Sequence, residues 1–268
     1  MTGPRAVVFD LDNTLILEDA ATFAALRAAA ATADDGTEAL TNAVAETADD
    51  LWKRSAVFTH AHAFGIWWGE ALWGGFTGDD PGLRAMRAFV PEFRRGVWRG
   101  GLSRLGRSDD ALAERLAQTF IAARRSGELI DPDAEAVLRD LARDHRLALV
   151  TNGAGDVQRE KLSRTPLGRY FAAIVISTEV GVGKPDPRLF AHALTALDVA
   201  PDDATMVGDS LLRDVEGARA AGMRTIWLDR GLWAEQGPTP DARIERLSDL
   251  RAALDALERR PVSPRATF

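Results

Sequence analysis

The first apolar run of the chain leads directly into two carboxylates. Residues 6–15 read AVVFDLDNTL, so the run 6–9 is followed by Asp10 and then by Asp12. A short, bounded apolar run of this kind predicts a buried parallel strand. In open α/β sheets, chemistry gathers just beyond the carboxyl ends of the strands. Holding two carboxylates there costs free energy unless a cation or an incoming group interacts with them. Asp-x-Asp alone also fits a surface turn that caps a helix.

Three later apolar runs also end in residues that can do chemistry. They are residues 147–150 before Thr151 and Asn152, 173–176 before Lys184, and 205–207 before Asp209 and Asp214. Helical patterns separate these runs, and strands that alternate with helices predict a parallel, doubly wound sheet. Residues 226–228 are predicted to form a fifth strand. The four sites of interest are therefore expected at the carboxyl ends of four strands.

This ordered set resembles the four sequence motifs of the haloacid dehalogenase (HAD) superfamily, whose members are mostly phosphatases. The resemblance covers about residues 5–17 and 130–230, and it is specific as a set. It implies an α/β fold with a Rossmann-like parallel sheet. The stretch TNGAGDVQREK at 151–161 is also similar to the N-acylneuraminate-9-phosphatase and pyrimidine-nucleotidase branches, in a helix that we expect to lie partly on the surface. The implied substrate is a small phosphate ester, either a sugar phosphate or a nucleotide.

The resemblance assigns the catalytic and metal-binding roles. Asp10 would be the nucleophile that forms an aspartyl-phosphate, and Asp12 would act as general acid and then general base. Mg²⁺ would be the cofactor, since hard oxygen ligands suit it. Its ligands would be the side chains of Asp10 and Asp209 and, as in the family, the backbone carbonyl of Asp12.

The remaining motif residues would bind phosphate or orient their neighbours. Thr151 and Asn152 could hold phosphate oxygens, although Asn-Gly is also a turn signature. Lys184 would pair with the phosphate and with Asp10. Asp214 would orient a water molecule or Lys184, and the alternative is an acidic residue that complements the helix dipole.

The segment between the first two strands is longer than a crossover requires. A parallel crossover needs about a dozen residues, whereas residues 18–129 show helical patterns throughout. We interpret 18–129 as an inserted helical cap of the type found in this superfamily, on a core formed by 1–17 and 130–260, with a flexible tail at 261–268. Within the cap, 38–64 is predicted as one helix, and 82–90 and 91–98 as separate helices.

Aromatic residues and arginines are concentrated in the proposed cap. Five of the seven tryptophans lie there: Trp52, Trp67, Trp68, Trp73 and Trp98. They could form the core of the cap, or a wall that stacks on a base or a sugar face. Four arginines could contact an acidic substrate or be solvated: Arg94, Arg95, Arg99 and Arg104.

Composition excludes several classes of function. The chain has 268 residues and 46% hydrophobic residues, enough for a sizeable core, and no cysteine, so it has no disulfide framework and no Cys nucleophile. A net charge of −7 argues against nucleic-acid binding. No apolar leader precedes the first strand, and the apolar stretch 58–76 carries two histidines, Glu70 and several glycines. We therefore expect a cytoplasmic protein without a membrane segment. Monomer and homodimer both remain open.

The second aspartate bears on the type of reaction. Haloacid dehalogenases lack an acid/base Asp at this position because halide needs no protonation, so Asp12 favours phosphoryl transfer. A phosphomutase would share all four motifs, and a silent phosphate-binding module is the alternative from another class. We therefore expect a Mg²⁺-dependent phosphatase.

Overall fold

Six parallel strands form one sheet in the computed structural model, which describes residues 5–33, 36–232 and 236–258. The strands are β1 Ala6–Phe9, β2 Arg146–Thr151, β3 Ala173–Ile176, β4 Ala204–Gly208, β5 Arg224–Leu228 and β6 Ala242–Ile244. Their order is β3-β2-β1-β4-β5-β6. The predicted α/β fold with a parallel sheet is confirmed, and β6 is an additional strand that the sequence patterns did not indicate.

Strand β1 lies inside the sheet and is flanked by β2 and β4. Phe9 is in register with Leu149 on one side and with Val207 on the other. The chain runs from β1 to β2 and β3 on one side, and then crosses back over to form β4, β5 and β6 on the other side. Ligands bind outside the carboxyl ends of strands at such a switch point. The fold thus places the end of β1 where a binding crevice is expected.

Hydrophobic clusters cover both faces of the sheet. Val7 and Phe9 pack into one cluster, and Ala6 and Val8 pack into another. This alternation is the pattern of a strand that is buried on both faces, which explains the continuous apolar run at 6–9.

The first six helices of the described chain follow β1 and precede the helix at Ala134–Leu141, and we call them the helical insert. They are α1 Glu18–Ala30, α2 Thr37–Lys53, α3 Phe58–Ala63, α4 Trp68–Ala71, α5 Pro81–Arg104 and α6 Asp110–Arg125. The insert has its own hydrophobic cluster, which continues into Ala154 and Val157 beside the sheet. None of the helices in the described parts of the chain combines the length and the apolar character that crossing a membrane would need.

The other helices connect the strands. They are α7 Ala134–Leu141, α8 Gly155–Ser163, α9 Ser177–Val180, α10 Pro187–Leu197, α11 Glu216–Ala220 and α12 Leu250–Glu258. A π-helical turn at Leu211–Val215 leads into α11, and 3₁₀ turns occur at Leu167–Tyr170, Pro201–Asp203 and Leu247–Asp249. The tail predicted at 261–268 lies outside the described residues.

Two predicted helix boundaries in the insert are wrong. The segment 38–64 is not one helix, because α2 ends at Lys53 and α3 begins at Phe58. Conversely, α5 continues through Pro91, where a break was predicted. Its apolar face stays buried on both sides of the proline, so tertiary packing outweighs the missing hydrogen bond.

Helix α7 begins at Ala134, two residues after Pro132. The Asp131 carboxylate accepts a hydrogen bond from the Asp133 amide at 2.9 Å and one from Arg230 at 2.7 Å. Asp131 therefore stabilises the turn that precedes the helix.

Candidate active site

Asp10 is fixed at the carboxyl end of β1. Its amide donates a hydrogen bond to the Val207 carbonyl at 3.0 Å, which continues the pairing with β4. The Thr14 hydroxyl donates to Asp10 Oδ2 at 3.3 Å. Asn13 adopts a left-handed conformation with φ of 57°, which Asn tolerates better than most residues. This turn brings Thr14 back under the Asp10 carboxylate, which is buried.

Lys184 contacts Asp10 from the loop after β3. Its Nζ donates to Asp10 Oδ1, and it lies 2.7 Å from Asp214 Oδ1. The Asn152 side chain holds the backbone of this loop: Asn152 Nδ2 donates to the Lys184 carbonyl at 3.1 Å, and the Lys184 amide donates to Asn152 Oδ1 at 2.8 Å. The residue that follows β2 therefore positions the lysine.

Three buried carboxylates meet beside Lys184. Asp10, Asp209 and Asp214 each offer one oxygen, and these oxygens lie within 4.8 Å of one another. The Ser210 amide donates to Asp214 Oδ2 at 3.0 Å, and the Trp227 indole donates to the Asp209 carbonyl at 2.8 Å. Such a cluster of hard oxygen donors fits a small divalent cation. The sequence prediction had named Asp10 and Asp209 for this group, and the structure adds Asp214.

The electrostatics of the site also fit a cation. Burial raises the pKa of Asp10 to about 7; Lys184 counteracts this, whereas Asp214 and Asp12 reinforce it. Burial lowers the pKa of Lys184, but Asp10 and Asp214 outweigh that effect and raise it overall. Lys184 therefore stays charged, and a further positive charge would relieve the repulsion among the carboxylates.

Asp12 is held by two residues of α8 that the sequence interpretation did not assign to the site. Lys161 Nζ donates to Asp12 Oδ1 at 2.9 Å, and Gln158 Nε2 donates to Asp12 Oδ2 at 2.8 Å. Both α8 side chains are fully buried. Other positions of this helix are exposed, as at Arg159, whereas these two side chains face inward. One signal was available, because Lys161 is one of only three lysines in an arginine-rich chain.

These groups surround a cavity of about 540 Å³ between the sheet edge and the helical insert. Asp10, Asp12 and Lys184 line it on the sheet side, and Gly65 and Trp67 line it on the insert side. Asn152, Asp209 and Asp214 are also among its lining residues. The structure thus brings six of the seven predicted site residues, all except Thr151, to the lining of one cavity.

Thr151 is placed differently from its neighbours. It is fully buried and is not among the residues that line the cavity. Its hydroxyl donates to the Asn152 carbonyl at 3.2 Å and accepts from Gln158 Nε2 at 2.7 Å. In this structure the Thr151 side chain supports Gln158 and Asn152.

The sequence matches a known family along most of its length. A model described as haloacid dehalogenase-like hydrolase matches residues 4–222. The chain belongs to this family. The predicted family membership is therefore confirmed.

Several family members are similar to this chain over different lengths. A phosphoserine phosphatase from Thermus thermophilus is 40% identical over 92% of this chain and 97% of its own length. An N-acylneuraminate-9-phosphatase from Rattus norvegicus is 33% identical over 57% of this chain and 63% of its own length. The magnesium-bound HAD-hydrolase YfnB from Bacillus subtilis superposes with a TM-score of 0.63 at 21% identity, covering 95% of this chain and 100% of that one, which shows the shared fold.

The aromatic residues of this HAD-like protein have mixed roles. Trp52, Trp68, Trp73 and Trp98 belong to the hydrophobic core of the insert, whereas Trp67 lines the cavity. The four candidate arginines do not line it and bind within the insert instead: Arg94 to backbone carbonyls, Arg95 to Glu92, Arg99 to Asp110, and Arg104 to Glu46 and Asp50. The core interpretation therefore fits four of the tryptophans.

Proposed function

We propose that this protein is a Mg²⁺-dependent phosphomonoester hydrolase that acts on a small phosphorylated metabolite through an aspartyl-phosphate. The observation that carries the proposal is the placement of Asp10, Lys184 and Asp12 around one cavity. A carboxylate nucleophile, a fixed cation and a second carboxylate are what a two-step phosphoryl transfer needs.

The reaction would proceed in two displacements. Asp10 forms a bond from a carboxylate oxygen to phosphorus while the bond from phosphorus to the ester oxygen breaks, and Asp12 gives its proton to the leaving oxygen. A water then attacks phosphorus, passes a proton to Asp12, and the bond to Asp10 breaks to release phosphate. Lys184 pairs with the phosphoryl oxygens and with Asp10 throughout.

The donor set described above would hold Mg²⁺. The ligands would be the side chains of Asp10 and Asp209 and the backbone carbonyl of Asp12, with Asp214 orienting Lys184. When bound, Mg²⁺ supplies positive charge that neutralises the transferring phosphoryl group. The chain's own contribution is to keep Lys184 and the carboxylates in fixed positions through Asn152 and Trp227.

The helical insert would act as a cap on a core formed by residues 1–17 and 130–260. Gly65 and Trp67, between α3 and α4, line the cavity opposite the sheet. A wall contributed by the insert would exclude water and contact the leaving group. Phosphate contacts would come from Lys184 and Asn152, which both line the cavity, whereas the contact that the family motif implies for Thr151 would require its hydroxyl to leave Gln158.

The polar groups of the cavity favour a substrate that carries both signs of charge. Arg213 lines the cavity and lies against Gly65, and Asp19 lines it as well. Arg213 could bind a carboxylate, and Asp19 could bind an ammonium group. Among candidate substrates, O-phosphoserine carries both groups beside its phosphate, and the Thermus relative is a phosphoserine phosphatase. We therefore place it ahead of sugar phosphates and nucleotides.

The test is phosphate release from O-phosphoserine, sugar phosphates and nucleotides, with Mg²⁺ and with EDTA. We expect metal-dependent release that falls at least about 10³-fold in Asp10→Asn, because the nucleophile is removed while the shape of the side chain is kept. The exposed residue Asp202 supplies the control Asp202→Asn, which should leave the rate unchanged.

Other outcomes would separate the alternatives. Transfer of phosphate to an added sugar-phosphate acceptor in preference to water would favour a phosphomutase. A folded wild-type protein that releases no phosphate from any substrate, with or without Mg²⁺, would contradict hydrolase function and favour a silent phosphate-binding module.

A further inference from the structure

Lys161 is the centre of a buried ionic cluster next to the cavity. Its Nζ lies 2.9 Å from Asp12 Oδ1, 2.8 Å from Glu70 Oε1 and 3.1 Å from Glu18 Oε2. The Lys161 side chain is 0% exposed. Its ammonium group donates hydrogen bonds to Asp12 and Glu70 and forms an ion pair with Glu18. The partners come from three places: the loop after β1, the start of α1, and α4.

The second oxygen of Asp12 is held from the same helix. Gln158 lies one turn before Lys161 on α8, and its Nε2 donates to Asp12 Oδ2. The same Nε2 lies 2.7 Å from the Thr151 hydroxyl and 2.9 Å from the Asn152 carbonyl. The two oxygens of Asp12 are therefore each bonded by a different buried side chain, and both of these side chains are themselves fixed by further partners.

Stability alone is a weak explanation for this arrangement. Removing an ammonium group and carboxylates from water costs several kcal/mol per ion, and well-packed apolar side chains are often at least as stabilising. Burial lowers the pKa of Lys161, but Asp12, Glu18 and Glu70 outweigh it and keep the lysine charged. Two carboxylates of the cluster, Asp12 and Glu18, line the cavity, which points to a role in the chemistry performed there.

We propose that Lys161 and Gln158 are positioning residues that set the direction of the Asp12 carboxylate for proton transfer to the leaving oxygen. This inference rests on the proposed phosphomonoesterase activity. Glu18 and Glu70 hold the Lys161 ammonium, and Thr151 and Asn152 hold the Gln158 amide. A proton donor must lie within hydrogen-bond reach of the oxygen it protonates, and small displacements lower the rate strongly.

The leaving group separates this role from a purely structural one. The alkoxide released from an alkyl phosphate must be protonated by Asp12, whereas p-nitrophenolate can leave without a proton. A displaced Asp12 should therefore slow only the alkyl ester. The parameter kcat/KM reports on this first step even where the later hydrolysis of the aspartyl-phosphate limits kcat.

The experiment measures kcat/KM of the Mg²⁺-loaded enzyme for p-nitrophenyl phosphate and for the best alkyl phosphate, O-phosphoserine first. Lys161→Met and Gln158→Met keep side-chain length and remove the bond to Asp12. We expect each to lower kcat/KM for the alkyl ester by about 10- to 100-fold and to change that for p-nitrophenyl phosphate by less than about 3-fold. In an Asp12→Asn background, Lys161→Met should have little further effect.

Controls keep the result interpretable. Lys53→Met removes an exposed lysine that pairs with Asp49, and it should leave kcat/KM unchanged for both substrates. Gln158→Met leaves the ion pairs of Lys161 intact, so it carries the test where Lys161→Met does not fold. Equal losses for both esters, or no loss for either, would overturn the positioning role alone. A wild-type enzyme without Mg²⁺-dependent phosphate release would overturn the proposed function and this inference with it.

Discussion

Gly208, the last residue of β4, packs closely against Asp214 of the candidate site. A Cβ added to Gly208 would lie 2.3 Å from Asp214 Oδ2. That carboxylate is bonded to Lys184 and to the Ser210 amide, so it has no room to move without losing a partner. We expect Gly208→Ala to lower the free energy of unfolding by about 1–3 kcal/mol and phosphate release by about 10-fold or more.

Urea unfolding and phosphate release would measure these two effects. Gly168→Ala is the matched control, because a Cβ at Gly168 meets no atom within 4 Å. The control should stay within about 0.5 kcal/mol of the wild type. A Gly208→Ala variant with wild-type stability and activity would show that Asp214 is free to move and does not fix Lys184.

Single residues also show what the sequence could predict about the site. Asp10, Asp209 and Lys184 follow apolar runs, so their approach to one another follows from the parallel sheet. Glu18 and Glu70 could not be identified in this way, since their contact with Lys161 depends on how the insert packs against α8. Helical spacing indicates which residues share a face, but it does not indicate which buried charge will meet them.

At the scale of elements, α5 contains a proline that sequence rules place at a break. Pro91 has no N–H to donate, and its ring crowds the carbonyl of Arg87. Pro91 is exposed, whereas the buried face around it includes Met86, Val90 and Phe93. We expect Pro91→Ala to raise the free energy of unfolding by about 1–3 kcal/mol, because it restores a helix-forming residue without altering the buried face.

Thermal or urea unfolding of Pro91→Ala checks this expectation. Pro81→Ala in the same helix is the control, since Pro81 occupies the first turn, where the missing N–H has no helical partner in any case. We expect the control to change stability little. A loss of stability in Pro91→Ala would mean that a bend at the proline is required for α5 to pack against α2.

Two elements show why some local structure could not be predicted from the sequence. A π-helical turn at Leu211–Val215 precedes α11. The Val215 amide bonds the Ser210 carbonyl, five residues earlier, at 3.2 Å. A π-helical turn contains about one more residue than an α-helical turn, and this barely changes the spacing of apolar residues along the sequence. Strand β6 has three residues and pairs only at the edge of the sheet, so it carries too short a pattern to identify.

At the scale of the whole molecule, buried carboxyl groups determine how stability depends on pH. Burial raises the pKa of Asp10 to about 7, and burial raises the pKa of Glu70 to about 7 although Lys161 opposes it. Their ordinary values are 3.8 and 4.5. Between these values and pH 7, the native protein binds more protons than the unfolded chain. Its free energy of unfolding should therefore fall as pH rises, by up to about 1.4 kcal/mol per pH unit for each group.

Other groups with shifted pKa values do not reverse this fall of the free energy of unfolding as pH rises toward 7. The raised pKa values of Lys161 and Lys184 add stability that is fully present below about pH 10.5, so it is constant here. Hydrogen bonds from Arg251 and Arg188 lower the pKa values of Asp144 and Asp186 to about 2. The stability that these two pairs add is lost only as pH falls below about 4.

Urea unfolding in EDTA at pH 5, 6, 7 and 8 would test this slope, with Glu70→Gln and added Mg²⁺ as comparisons. The variant should have a shallower slope, because one of the two groups no longer titrates. Mg²⁺ should stabilise the protein more at pH 8 than at pH 5, since it competes with the proton for Asp10. A free energy of unfolding that rises from pH 5 to pH 7 in EDTA would show that Lys161 and Lys184 keep both carboxyl groups ionised. The acidic cluster would then already be balanced by the chain's own lysines, and the electrostatic argument for a bound cation would lose its main support.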